Sequence, residues 1–132
     1  MTGGETIPIR ESSDVIRVRA EVRRLAIGLG LGVVDQTKIV TAASELARNT
    51  LVYGGGGHAV LEVVEGKGRR GLRLSFEDHG PGILDIGQAM IDGYSSGRGL
   101  GLGLSGAKRL SSEFEITSVV GEGTRVVITR WN

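Results

Sequence analysis

Gly71-Leu72-Arg73-Leu74-Ser75-Phe76-Glu77-Asp78, running on into His79-Gly80-Pro81-Gly82-Ile83, is the stretch from which the fold is read. Leu72, Leu74 and Phe76 alternate with more polar residues, the period of a strand with one buried face. Asp78 has the same parity, so the strand ends in a carboxylate aimed at an interior rather than at water. A buried carboxylate is costly unless something hydrogen-bonds to it. A ligand amine would satisfy it. The backbone of the Gly80-Pro81-Gly82 turn would do so equally well, because Asp before Gly is a common turn former. Thr124 shares the parity of Val126 and Ile128 on another strand, so a second polar side chain aims at the same interior.

Outward from this strand the chain reads as a regular alternation. Residues 6–10 are a short strand, confined to an edge by Pro8. Ser12, Ser13 and Asp14 are candidate caps for a helix over 14–29, in which Val15, Val18, Val22, Leu25 and Leu29 recur at helical spacing and Gly30 and Gly32 end the run. Asp35 is placed to cap a second helix over 36–53. There Ile39, Ala43, Leu46 and Thr50 form a stripe that Val40, Ala47 and Leu51 widen, and Gly54 to Gly57 stop it. Residues 59–65 and 71–78 form a hairpin about the turn 66–70. A short helix over 85–91, a glycine-rich stretch over 92–103, a helix over 104–112 and a hairpin of 114–120 with 125–131 complete the chain. This order predicts an α+β, two-layer α/β sandwich: a mixed, mostly antiparallel sheet with its helices on one face. Residues 1–132 read as one domain, with a lid loop at about 92–103.

Composition narrows the function. With 132 residues and 39% hydrophobic content there is material for one core. Sixteen basic against 15 acidic residues leave a net charge of +1, which argues against a nucleic-acid or anionic-membrane partner. The absence of cysteine excludes disulfides and thiolate metal sites, and fits a cytoplasmic location. The N-terminus does not read as a signal peptide, and no apolar run approaches the ~20 residues of a membrane span. Glycine is the outlier: 23 residues, well above the usual ~7%, clustered at 54–57, 80–82, 97–106 and 121–123.

Two further segments carry chemistry. Glu45 and Asn49 lie four apart and so stack on one helix face beside the apolar stripe. An amide oxygen such as that of Asn49 suits Mg²⁺, and a carboxylate such as Glu45 can take the proton of a hydroxyl attacking a phosphate. The plainer reading is a polar helix edge with a Glu45–Arg48 pair. Gly101-Leu102-Gly103-Leu104-Ser105-Gly106 matches the dinucleotide-binding fingerprint in letters only, since no strand precedes it. No Gly-Lys-Ser/Thr follows the glycines, so they make no Walker-A loop. A mobile cover whose backbone N–H groups cradle phosphates and lead into the helix at 104 fits better.

These segments resemble, in order, the N, G1, G2 and G3 boxes of the GHKL (Bergerat-fold) ATPases: Glu45-Leu46-Ala47-Arg48-Asn49, Asp78-His79-Gly80-Pro81-Gly82, Gly97-Arg98-Gly99-Leu100-Gly101-Leu102-Gly103 and Gly121-Glu122-Gly123-Thr124. Each box alone is weak. Four in order, over residues 6–131, are specific. The small size, the Glu-Leu-Ala-Arg-Asn box and Lys108-Arg109-Leu110 look most like the anti-sigma-factor serine/threonine kinases, in the RsbT-type switch-kinase branch. The resemblance implies ATP and Mg²⁺ as cofactors. Asp78 would accept the exocyclic amine of adenine, with Gly80 and Gly82 allowing close approach to the base and Thr124 completing its pocket. Asn49 would hold Mg²⁺ on the phosphates and Glu45 would be the catalytic base. Gly99, Gly101 and Gly103 would form the lid, with Arg98 either reaching the γ-phosphate or standing in solvent. The acceptor would be a serine or threonine on a STAS-domain protein, and the freed kinase would bind a PP2C-type phosphatase. The absence of a phosphoacceptor-histidine domain speaks against a histidine kinase, and His58 and His79 read as surface or turn residues. The alternatives are a nucleotide-gated anti-sigma factor that binds a sigma factor directly, and an ATPase module separated from other domains.

Overall fold

The computed structural model describes residues 4–91 and 103–132. Its elements run β1 (Gly4–Ile9), α1 (Ser12–Gly28), α2 (Val33–Val52), β2 (Gly57–Gly66), β3 (Arg69–Asp78), α3 (Ile86–Ala89), α4 (Gly103–Arg109), β4 (Glu113–Val119) and β5 (Gly123–Trp131). The five strands form one sheet in the order β1-β2-β3-β5-β4. Every pairing in it is antiparallel, so the mixed component allowed by the sequence is absent among the described residues. β1 is an edge strand, as Pro8 requires.

One face of the sheet is apolar because of strand parity. Ile7 and Ile9, Ala59 and Leu61, Leu72, Leu74 and Phe76, and Val126 and Ile128 are all buried there. Against them lie Val18, Val22 and Ala26 of α1 and Ile39, Ala43, Leu46, Ala47 and Thr50 of α2. Each fully buried Leu, Ile or Phe contributes ~1.5–3 kcal/mol of transfer free energy. Sliding β3 by one residue would turn Leu72, Leu74 and Phe76 out to water, and that cost holds Asp78 on the interior side. The opposite face is mixed: Val64 and Val127 are buried there, beside Glu62 against Arg73 (3.8 Å) and His58 against Glu77 (3.4 Å).

Element ends differ from the sequence reading in three instructive places. α1 is capped at Glu11, not at Ser12, Ser13 or Asp14; Asp14 instead reaches back, its Oδ2 accepting the N–H groups of Arg10 (2.8 Å) and Glu11 (3.1 Å). Its other end is as expected. Gly30 takes a positive φ of 79°, with Leu31 N–H bonded to Ala26 O and Gly30 N–H to Ile27 O, a glycine-terminated helix end. The β2–β3 connection is tighter than the turn 66–70. It is a two-residue turn in which both Lys67 (φ 53°) and Gly68 (φ 77°) are left-handed, and it extends both strands.

The third difference is Asp35. α2 starts at Val33 behind Gly32, so Asp35 lies inside its first turn rather than capping it. Its carboxylate is taken by Arg130 of β5 at 2.6 Å. The same guanidinium donates to the carbonyl of Leu110, at the end of α4, at 3.2 Å. Arg130 has the inward parity of Ile128, and its side chain is only 17% exposed against 41% for Asp35. Its Nε has no hydrogen-bond partner among the described residues. A buried cation left without its counter-charge is costlier than a half-exposed carboxylate left without its own. Asp35→Ala is therefore expected to destabilise the fold by about 1–3 kcal/mol and by more than Arg130→Met, as read from urea unfolding midpoints. The reverse order would show that the pair is not held by the buried side.

Candidate functional site

β3 and β5 open towards α2 at one end of the sheet. Asp78 is the last residue of β3 and Thr124 the second residue of β5. The β3–β5 register pairs Glu77 with Arg125, and carried one residue further it sets Asp78 opposite Thr124 on the helix side. Asp78 is half-buried, and its Oδ1 accepts the N–H of Gly80 at 2.9 Å. The turn-capping reading of Asp78 is thus realised, but it uses one oxygen. The other carboxylate oxygen faces Gly54, which leads out of the end of α2.

Three backbone segments crowd together at Asp78, and glycine is required where they meet. A Cβ at Gly54 would lie 2.4 Å from Asp78 Cγ, and one at Gly80 2.8 Å from Gly54 Cα. Gly123 has a φ of 138°, and a Cβ there would fall 2.1 Å from the carbonyl oxygen of Asp78. The loop after β3 is tied to the β4–β5 turn by Gly121 N–H on Pro81 O at 2.8 Å. Ile83 N–H on Ser118 Oγ, also 2.8 Å, is a second tie. Gly82, with a φ of 80°, packs on that turn, where a Cβ would meet Val119 O at 2.6 Å. Gly80 and Gly82 of the second box and Gly123 of the last are therefore where backbones touch, whatever else they serve.

α2 carries the second half of the site. Glu45 and Asn49 are both half-buried and stand one turn apart on this helix. Neither side chain makes a hydrogen bond or ion pair among the described residues, so the Glu45–Arg48 pair of the plainer reading is not formed. Asn49 lies under the start of α4, its Nδ2 3.9 Å from where a Cβ at Gly103 would stand. An uncommitted amide beside a glycine opening is a donor set that fits a magnesium ion sharing its remaining ligands with water and phosphate oxygens. Among the described residues no group of three or more acidic or His side chains could hold a metal by itself. α4 is a seven-residue helix, shorter than the 104–112 segment read from the sequence.

The structure thus brings Asp78, Gly80, Gly82 and Thr124 together at the sheet end, and sets Gly103 against Asn49. Arg98, Gly99 and Gly101 lie outside the described residues. His79 is exposed, and His58 lies on the opposite face of the sheet beside Glu77. Two residues escaped the sequence reading. Gly54 reads there only as a helix stop, and nothing local reveals that it abuts Asp78. Ser118 was legible in principle, because it continues the inward parity of Phe114 and Ile116.

Residues 34–131 match the family model of histidine kinase-, DNA gyrase B- and HSP90-like ATPases. With that match over most of its length, the chain belongs to this ATPase family. It is 45% identical over 131 residues, 99% of this chain and 98% of the relative, to the serine/threonine-protein kinase RsbT of Bacillus subtilis (strain 168). It is 27% identical over 99 residues, 71% of this chain and 69% of the relative, to the anti-sigma F factor of Clostridium novyi (strain NT). The solved RsbU and RsbW domains of a Mycobacterium tuberculosis protein superpose with a TM-score of 0.66 and 22% identity, covering 98% of this chain and 32% of that one, a likeness of fold. The family member to which this chain is so similar along its whole length sets its class, a serine/threonine-protein kinase. No helix among the described residues is long and apolar enough to cross a membrane.

Gly54→Ala is expected to displace the Asp78 carboxylate and weaken ATP binding roughly tenfold or more, read by calorimetric titration. Unchanged affinity would show that the loop yields and that Asp78 does not depend on it.

Proposed function

We propose that this kinase transfers the γ-phosphoryl group of Mg-ATP to a serine or threonine hydroxyl of a STAS-domain protein, and acts by partner switching in sigma-factor stress regulation. The observation that carries the reading is the half-committed Asp78 carboxylate, one oxygen on Gly80 N–H and the other against Gly54, just past the helix that bears Glu45 and Asn49.

Each residue then has a task. The free oxygen of Asp78 accepts the amine of adenine; guanine would present a carbonyl there, lone pair against lone pair. Thr124 adds a hydroxyl at the same edge of the pocket. Gly80 and Gly82 let the backbone lie close to the base, and Gly99, Gly101 and Gly103 would form the cover over the phosphates, with Arg98 either reaching the γ-phosphate or standing in solvent. Asn49 offers its amide oxygen to the magnesium ion, which when bound neutralises phosphate charge. Glu45 takes the proton of the acceptor hydroxyl as its oxygen bonds to the γ-phosphorus and the bond to ADP breaks. Residues 1–132 work as one ATP-binding kinase domain in the cytoplasm. The kinase is held by its STAS-domain substrate until transfer releases it, and once free it activates a PP2C-type phosphatase. The kinase activity is supported by the similarity to the serine/threonine-protein kinase RsbT, and the partners by the switch-kinase resemblance of the four boxes. Similarity to an anti-sigma F factor supports a second reading, in which the nucleotide-bound chain holds a sigma factor directly.

Asp78→Asn swaps one acceptor oxygen for a donor and is expected to weaken ATP binding by about 1.5–3 kcal/mol, roughly 10- to 150-fold. Glu45→Ala should leave binding intact and lower transfer by about 10²–10⁴. The test is transfer from γ-labelled Mg-ATP into a lysate of the source cells, wild type beside Glu45→Ala. A small labelled protein seen with wild type alone supports the kinase reading and delivers its substrate. No label, with ATP binding intact, would favour the nucleotide-gated binder.

A further inference from the structure

Ser118, near the end of β4, has a hydroxyl with three neighbours. The N–H of Ile83 donates to its Oγ at 2.8 Å. The carbonyl oxygen of Gly123 lies 3.2 Å away and Thr124 Oγ1 2.8 Å away. A serine hydroxyl has one hydrogen and two lone pairs. Ile83 uses one lone pair. One arrangement alone satisfies all three contacts: Ser118 gives its hydrogen to Gly123, and Thr124 gives its hydrogen to the remaining lone pair. If Ser118 instead gave its hydrogen to Thr124, the Gly123 contact would lose its proton and the cluster one hydrogen bond.

The saturated arrangement has a consequence for Thr124. Its hydrogen is spent on Ser118, so what its oxygen offers to the interior is lone pairs. We propose that Ser118 is a positioning residue that holds the Thr124 hydroxyl as a hydrogen-bond acceptor toward the nucleotide. With Asp78, this makes the base edge of the pocket acceptor on both strands, suited to a purine carrying a 6-amino group where guanine has a carbonyl, met directly or through a water. The inference rests on the nucleotide reading above and extends it, since it assigns the protonic sense of Thr124 to a residue that never touches the ligand. A simpler role, in which Ser118 only ties the loop at Ile83 to β4, would leave Thr124 and base choice alone.

The experiment is a double-mutant cycle on ATP and GTP affinity, measured by calorimetry with the full chain: wild type, Ser118→Ala, Thr124→Val and the double variant, each checked for folding by circular dichroism. Ser118→Ala is expected to weaken ATP roughly 3- to 10-fold while leaving GTP unchanged, so that the ATP/GTP ratio falls. The double variant should bind ATP no more weakly than Thr124→Val alone, because Ser118 acts through Thr124. Multiplying losses in the double variant, or an unaltered ATP/GTP ratio in Ser118→Ala, would overturn the proposal. Should Ser118→Ala not fold, Ser118→Cys keeps the volume with a poor hydrogen-bonding group and is read by the same two criteria. Wild-type protein that binds neither nucleotide would overturn the nucleotide reading itself, an outcome distinct from multiplying losses in a protein that binds.

Discussion

Backbone crowding around the Asp78 carboxylate is the constraint on which the site depends. Gly54, just past the end of α2, packs on the carboxylate itself, Gly80 packs on Gly54, and Gly123 at the start of β5 packs on the backbone carbonyl of Asp78; none of the three leaves room for a Cβ. Glycine loses the most conformational freedom on folding, so tight glycine contacts between three separate segments cost stability. What they secure is a carboxylate that keeps one oxygen on Gly80 N–H and the other against Gly54. Sheet parity supplies the direction, since the burial of Leu72, Leu74 and Phe76 fixes the register that points Asp78 inward.

A second constraint acts at the far side of α2. Asp35, Arg130 and the Leu110 carbonyl join the start of α2, the end of β5 and the end of α4. Asn49 and Gly103 meet at the opposite ends of α2 and α4. The Arg130 clasp thereby ties together the two helices whose other ends meet at Asn49 and Gly103. In the proposed reading, recognition of the base falls to the sheet end and its loops, and handling of the phosphates to the two helices.

Much of this was legible in the sequence. Alternation in residues 71–78 and 125–131 placed the central strands, and the stripes of α1 and α2 placed the helices, because burial periodicity is a local signal. The motifs were legible as an ordered set rather than singly. Asp35 was misread because its partner, Arg130, is 95 residues away, and no local rule separates a cap from a first-turn ion pair. Gly54 was hidden for the same reason: its meaning lies in contact with β3, whereas its sequence context says only that a helix ends. Ser118 needed just the parity argument already applied to Asp78 and Thr124, extended to β4. The two-residue turn at Lys67-Gly68 was blurred because Gly66, Arg69 and Arg70 look like loop and are strand.

The central claim is that the caged carboxylate reads the base of a nucleotide. Calorimetric titration of the wild-type protein with Mg-ATP and with Mg-GTP tests it most directly. The account predicts that ATP binds and that GTP, which sets a carbonyl against Asp78, binds at least ~10-fold more weakly, since a buried acceptor left facing an acceptor loses its partner at full desolvation cost. Equal affinity for the two nucleotides would contradict it.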